Sequence, residues 1–108
     1  MFNVQLESSY KLTKIVSSPL ALPIHHIPTL SKKIKLPFVP FLGLTLEVDG
    51  FHFRVDEVHY SNSMEQFSCI MNVEDMEYPE FRDRARDLKC KGWTATKLEE
   101  VDEAFRGD

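Results

Sequence analysis

The chain has only two cysteines, Cys69 and Cys90. They are too few for a disulfide framework and too far apart for a Cys-x-x-Cys metal or redox motif. The four glycines, Gly43, Gly50, Gly92 and Gly107, are all isolated, so no glycine-rich loop exists to cradle a phosphate. No serine stands in a Gly-x-Ser-x-Gly elbow. Long apolar runs are missing too. The longest stretch, Leu36 to Leu46, contains two prolines and a glycine and falls far short of the roughly 20 residues a membrane helix needs. Met1 to Val16 interleaves polar with apolar residues and lacks the apolar heart of a secretory signal. These absences point to a cytoplasmic protein with reduced thiols, no membrane segment and no nucleotide site.

What is present suits one globular domain, residues 1–108. Hydrophobic residues make up 43% and charged residues 28% of the chain, enough apolar surface to bury a core without staples. Charge is distributed unevenly. Residues 1–35 carry Lys11, Lys14, Lys32, Lys33 and Lys35 against Glu7 alone, while 16 of the 17 acidic residues follow. A net charge of −4 is repelled by phosphate backbones at long range. Nucleic acid is therefore a poor partner, and binding to it would rest on those five lysines.

Periodicity outlines the fold. Phe2, Val4 and Leu6 alternate with polar residues as in a strand. Ser8-Ser9 predicts a turn, with Tyr10 to Val16 returning as a second strand. Prolines at 19, 23, 28, 37 and 40 punctuate residues 17–40. Each fixes φ and removes a donor, so this stretch reads as an apolar arm laid over the domain or a partner, with Lys32 to Lys35 a short edge piece. Leu42, Leu44, Leu46 and Val48 then alternate, Asp49-Gly50 follows, and Phe51, Phe53 and Val55 alternate again. Asp-Gly tolerates the positive φ of a two-residue hairpin turn. The phase slips before Val58 and Tyr60, which predicts a β-bulge at Asp56-Glu57. Phe67, Cys69, Met71 and Val73 complete a three-stranded meander with Cys69 buried.

The period then changes. Pro79 suits a first helical turn, and Phe81, Ala85 and Leu88 form one stripe over residues 79–91. Gly92 is a natural stop. Trp93 to Leu98 reads as a last strand, and 99–108 as an acidic tail, helical at first and then frayed. The expectation is an α+β domain: an antiparallel, strongly bent sheet of about five to six strands, closed at most into a partly open barrel, with one amphipathic helix on one face.

Gly43, Gly50, Phe51, Phe53, Val55 and Val58 together resemble the second and third strands of small SH3-like and other five-stranded barrels. In length and layout the chain also resembles the short reading frames of phages, integron cassettes and other mobile bacterial elements. Neither resemblance implies functional residues.

Candidate chemistry is sparse. His25 and His26 are neighbours on an extended segment and point opposite ways. His52 and His59 fall on the polar face of one strand beside Arg54, but about 20 Å apart at ~3.3 Å per residue, too far to share a metal. No zinc-like or calcium-like spacing is present. No catalytic residue, metal or cofactor is expected. Carboxylates at 74–77 and 99–103 read as solvated element ends. Phe38, Phe41 and Trp93 flank element ends, where ligand grooves and partner surfaces lie. With His52, Arg54 and His59 they are the candidate binding residues. The expectation is a non-catalytic module that recognises a protein partner or small apolar ligand and forms a homodimer, because so small a domain struggles to cover its own apolar arm. The alternatives are a small enzyme or carrier with a pocket between helix 79–91 and the sheet, and nucleic-acid binding through the N-terminal lysines.

Overall fold

A computed structural model describes residues 1–14 and 24–106. Val16, residues 17–23 of the arm and residues 107–108 of the tail lie outside the described residues. The elements in chain order are β1 (Phe2–Lys14), β2 (Ile24–His26), β3 (Thr29–Leu36), β4 (Thr45–Val48), β5 (Phe51–Arg54), β6 (Glu57–Ser61), β7 (Gln66–Asp75), α1 (Tyr78–Lys89), β8 (Thr94–Thr96) and α2 (Leu98–Ala104).

β1 is one long strand, not a hairpin. Val4, Leu6, Ser8, Tyr10 and Leu12 are all buried while their odd-numbered neighbours are not, so the alternation runs unbroken through Ser8-Ser9. The two serines do not turn the chain because the sheet satisfies them. The Ser8 hydroxyl donates to the Tyr10 hydroxyl at 2.7 Å inside the core, and Ser9 shares a hydrogen bond with Thr29 on the next strand at 2.8 Å.

The second half of the expected arm is also sheet. β3 pairs antiparallel with β1 from Phe2 opposite Leu36 to Ser9 opposite Thr29. Pro28 and Pro37 bracket this strand instead of interrupting it, and the eight residues between them keep every donor. Short β2 pairs with the far end of β1.

The Asp49-Gly50 turn forms as its residues require. φ is +56° at Asp49 and +81° at Gly50, and β4 and β5 pair as a two-stranded sheet. The phase slip marks a break between strands, not a bulge within one. β5 ends at Arg54 and β6 begins at Glu57; Val55 still bonds Leu44 of the hairpin at 2.8 Å, and the next N–H, of Asp56, bonds the Ile70 carbonyl of β7 at 2.9 Å. The chain crosses there from the small sheet to the large one. The expected meander is thus divided: β6 pairs with β7 and not with β5.

The large sheet has the order β6-β7-β1-β3-β8. It is strongly curved and not closed into a barrel. All its pairs are antiparallel except β1 with β7, which run parallel from Val4 opposite Phe67 to Lys11 opposite Asp75, with the register shifting by one residue between Ser8 and Tyr10. The fold is mixed α+β, with two helices among the described residues. Phe81, Ala85 and Leu88 of α1 are buried, and the Phe81 ring lies 5.5 Å from that of Tyr10. Gly92 takes φ +94°, which lets the Trp93 N–H close back onto the Leu88 carbonyl at 3.0 Å. The acidic tail does not fray at its start. Val101 of α2 is buried, Phe105 packs on Tyr78 with centroids 4.7 Å apart, and the Tyr78 hydroxyl donates to Asp102 at 2.7 Å. Among the described residues no helix is long and apolar enough to cross a membrane.

Because β1 is continuous and central, Ser9→Pro is expected to unfold the protein, whereas a turn at that position would accept proline. Leu6→Ala is expected to cost about 2–5 kcal/mol for the cavity it leaves. Urea titration followed by Trp93 fluorescence measures both.

Candidate functional site

The residues singled out in the sequence divide between two structural roles. Trp93 is 3% exposed and belongs to the core rather than to an open groove. Its ring meets Phe51 edge-on at 5.6 Å, and its indole N–H donates to the Asp49 carboxylate at 3.1 Å. Lys32 ion-pairs with the same carboxylate and donates to the Lys91 carbonyl at 2.9 Å. Lys91 in turn donates to the Asp49 carbonyl at 3.0 Å. The tip of the β4–β5 hairpin is therefore fastened at once to β3 and to the end of α1. The Lys32 hydrogen bond, with help from Trp93, holds the Asp49 carboxyl below its ordinary 3.8.

His52 on β5 and His59 on β6 lie in different sheets, not on one strand face. Arg54 ion-pairs with Asp56 at 2.9 Å, and Asp56 also accepts from the Asn72 N–H at 2.7 Å. This backbone bond and the Arg54 partner lower the Asp56 pKa. His59 bonds Glu57 at 3.2 Å. His52 lines a cleft of 340 Å³ between the hairpin, β7 and α1, together with Glu74, Arg84 and Asp87. This is where a pocket between helix and sheet was expected. Its charges are already matched: Arg84 pairs with Glu74 at 3.4 Å and Asp87 with Lys91 at 3.1 Å. Among the described residues no cluster of three or more His, Cys, Asp and Glu could hold a metal ion. Cys69 is fully buried, and burial pushes its thiol pKa up, away from nucleophilic chemistry.

The five N-terminal lysines do not form one patch. Lys32 is tied to Asp49, Lys14 reaches the Ala104 carbonyl, and Lys11 stands opposite Asp75 in the sheet. Lys33 and Lys35 are exposed on β3, opposite Gln5 and Asn3.

Phe38 and Phe41 remain as surface aromatics, 41% and 55% exposed, with their rings 6.4 Å apart. They follow β3 just past Leu36, the partner of Phe2. Phe2 touches Phe67 at 6.1 Å, and Phe67 touches Tyr60 at 4.7 Å. Tyr60 is 55% exposed, and Leu42 and Met64 are exposed as well. α1 shields the Tyr10 end of the sheet; the end carrying Phe2 and Tyr60 is left open. Phe2 and Tyr60 were missed as surface residues because each keeps core phase along its strand. Phe2 is exposed by its place at the end of β1 and Tyr60 by its place on the end strand of the sheet.

No protein-family model, curated protein or solved structure matches this chain.

Two measurements check this electrostatic and thiol chemistry. Asp49 and Asp56 titrate lower in the folded chain than in the unfolded one. Their contribution is complete above the ordinary carboxylate value and is lost as pH falls through the lower, folded value. Stability is expected to drop below about pH 4, and Asp49→Asn should flatten part of that drop in urea midpoints compared between pH 6 and pH 3. With a disulfide-exchange reagent, Cys90, which is exposed, should react at once, and Cys69 only on unfolding.

Proposed function

We propose that this protein is a non-catalytic recognition module that associates with a second copy of itself through its open aromatic end. The observation that carries the reading is the exposure of two aromatic groups, Tyr60–Phe67–Phe2 and the Phe38–Phe41 pair that follows β3, more than a third exposed at Tyr60, Phe2, Phe38 and Phe41. Large apolar side chains grouped on a small domain mark contact surfaces more often than solvent-facing ones. Aromatic rings supply much of the energy of such contacts because they bury large area at little conformational cost. A catalytic reading draws little support from the cleft beside His52, where the charged groups pair with one another. The divided lysines likewise offer a nucleic acid no continuous track.

Sedimentation at micromolar concentration tests the proposal, with a dimer expected. Tyr60→Ala and Phe41→Ala alter exposed side chains and should leave the urea midpoint nearly unchanged. At least one should weaken association by about 2 kcal/mol, roughly thirtyfold in Kd. A chain that stays monomeric would overturn the reading.

A further inference from the structure

We infer that the two copies join through the outer edge of β6, paired antiparallel about a two-fold axis at His59, so that the large sheet continues from one copy into the other. The inference deepens the proposed self-association and rests on it. β6 is the end strand of the large sheet, and among the described residues nothing pairs with its outer side. An unpaired edge presents a row of backbone donors and acceptors to any strand that can match it.

The opposite end of the large sheet and the free end of β7 are blunted, and this edge is not. β8, at the opposite end, has three residues and is followed by Lys97 in a left-handed conformation, φ +59°. Where β7 runs on past β6, the Asp56 carboxylate occupies the Asn72 N–H. β6 has five residues and no proline or lysine, the devices that commonly protect an edge.

The occupant is a second copy because β6 complements its own two-fold image. With His59 on the axis, all five residues pair. Val58 then stands opposite the second copy's Tyr60 on the core-side face, an aromatic against a β-branched residue, which is a favourable cross-strand combination. On the other face Glu57 stands opposite Ser61, whose hydroxyl can donate to the carboxylate. No carboxylate opposes a carboxylate. The two Glu57 residues fall four positions apart, about 14 Å at ~3.4 Å per residue, beyond the screening length of physiological salt. The exposed Tyr60 rings, already packed at a tilt against Phe67, meet across the join and extend the Phe2–Phe67 surface through both copies. Main-chain pairing supplies affinity and the alternating side chains set the register.

Engineered disulfides on a Cys90→Ser background read that register. Residues directly opposite in an antiparallel pair lie about 4.5–5.5 Å apart at Cα, within disulfide reach. His59→Cys should therefore link to its own copy under mild oxidation, at least about tenfold faster than Ser63→Cys in the adjoining turn, because the paired thiols see a high effective concentration. An equimolar mixture of Glu57→Cys and Ser61→Cys chains should form the mixed dimer in preference to either self-linked one. This pair covers the case in which His59→Cys itself disturbs association. Sedimentation of the Cys90→Ser chain comes first. A monomer there removes the self-association reading and this one with it. A dimer in which neither His59→Cys nor the mixed pair links preferentially overturns the β6 pairing alone and leaves association through another surface.

Discussion

The architecture depends on a single strand. β1 lies between β3 and β7 and sends Val4, Leu6, Ser8, Tyr10 and Leu12 to one side. Strand side chains alternate with period two, so a slip of one residue against either neighbour would carry this whole set into water. The alternation holds the antiparallel register with β3 from Phe2 to Ser9; against β7 the parallel register shifts by one residue between Ser8 and Tyr10, and the extra residue falls in β7, so that Tyr10 and Leu12 keep their buried places. The helix, hairpin and tail then cover what β1 and its neighbours present. Ser8 and Tyr10, bonded to each other in the interior, let a polar residue occupy a core position without an unpaired hydroxyl.

The small hairpin is held down by charge as well as by packing. One carboxylate, Asp49, receives the Trp93 indole and the Lys32 ammonium, and it sits in a turn that only a short polar residue followed by glycine forms readily. The same residue thus shapes the turn and anchors it. Covering ends there: α1 and the hairpin shield the Tyr10–Phe53–Trp93 part of the core, while the Phe2–Tyr60 end stays open. The proposed function follows from this asymmetry. The end that lacks a helix is also the end with exposed rings and an unblunted edge strand.

The sequence was most legible where structure is local. The Asp49-Gly50 turn and the Phe81–Ala85–Leu88 stripe each depend on residues within a few positions of one another, and each formed where its pattern lay; the phase slip at Asp56-Glu57 marked a change of sheet and not the expected bulge. Reading failed where distant partners decided. Ser8-Ser9 carries turn chemistry, yet Tyr10 and Thr29 satisfy those hydroxyls within a straight strand. Proline spacing suggested an irregular arm, but a proline at each end of eight free residues frames a strand just as well. Of the candidate site residues, Phe38 and Phe41 proved to be surface aromatics. Trp93 did not, because its ring is buried against Phe51 and its indole N–H finds a partner 44 residues away.

Periodicity and turn chemistry by themselves determined the fold class, the main hairpin and the buried face of the first helix. These are properties of neighbouring side chains and backbone angles. Only the tertiary structure decided that β7 lies parallel to β1, that β6 is an edge and that Tyr60 meets solvent while Phe53 does not. Both aromatics occupy core phase in their strands. Which of them is covered depends on what packs above, and that is set by contacts between segments far apart in the chain.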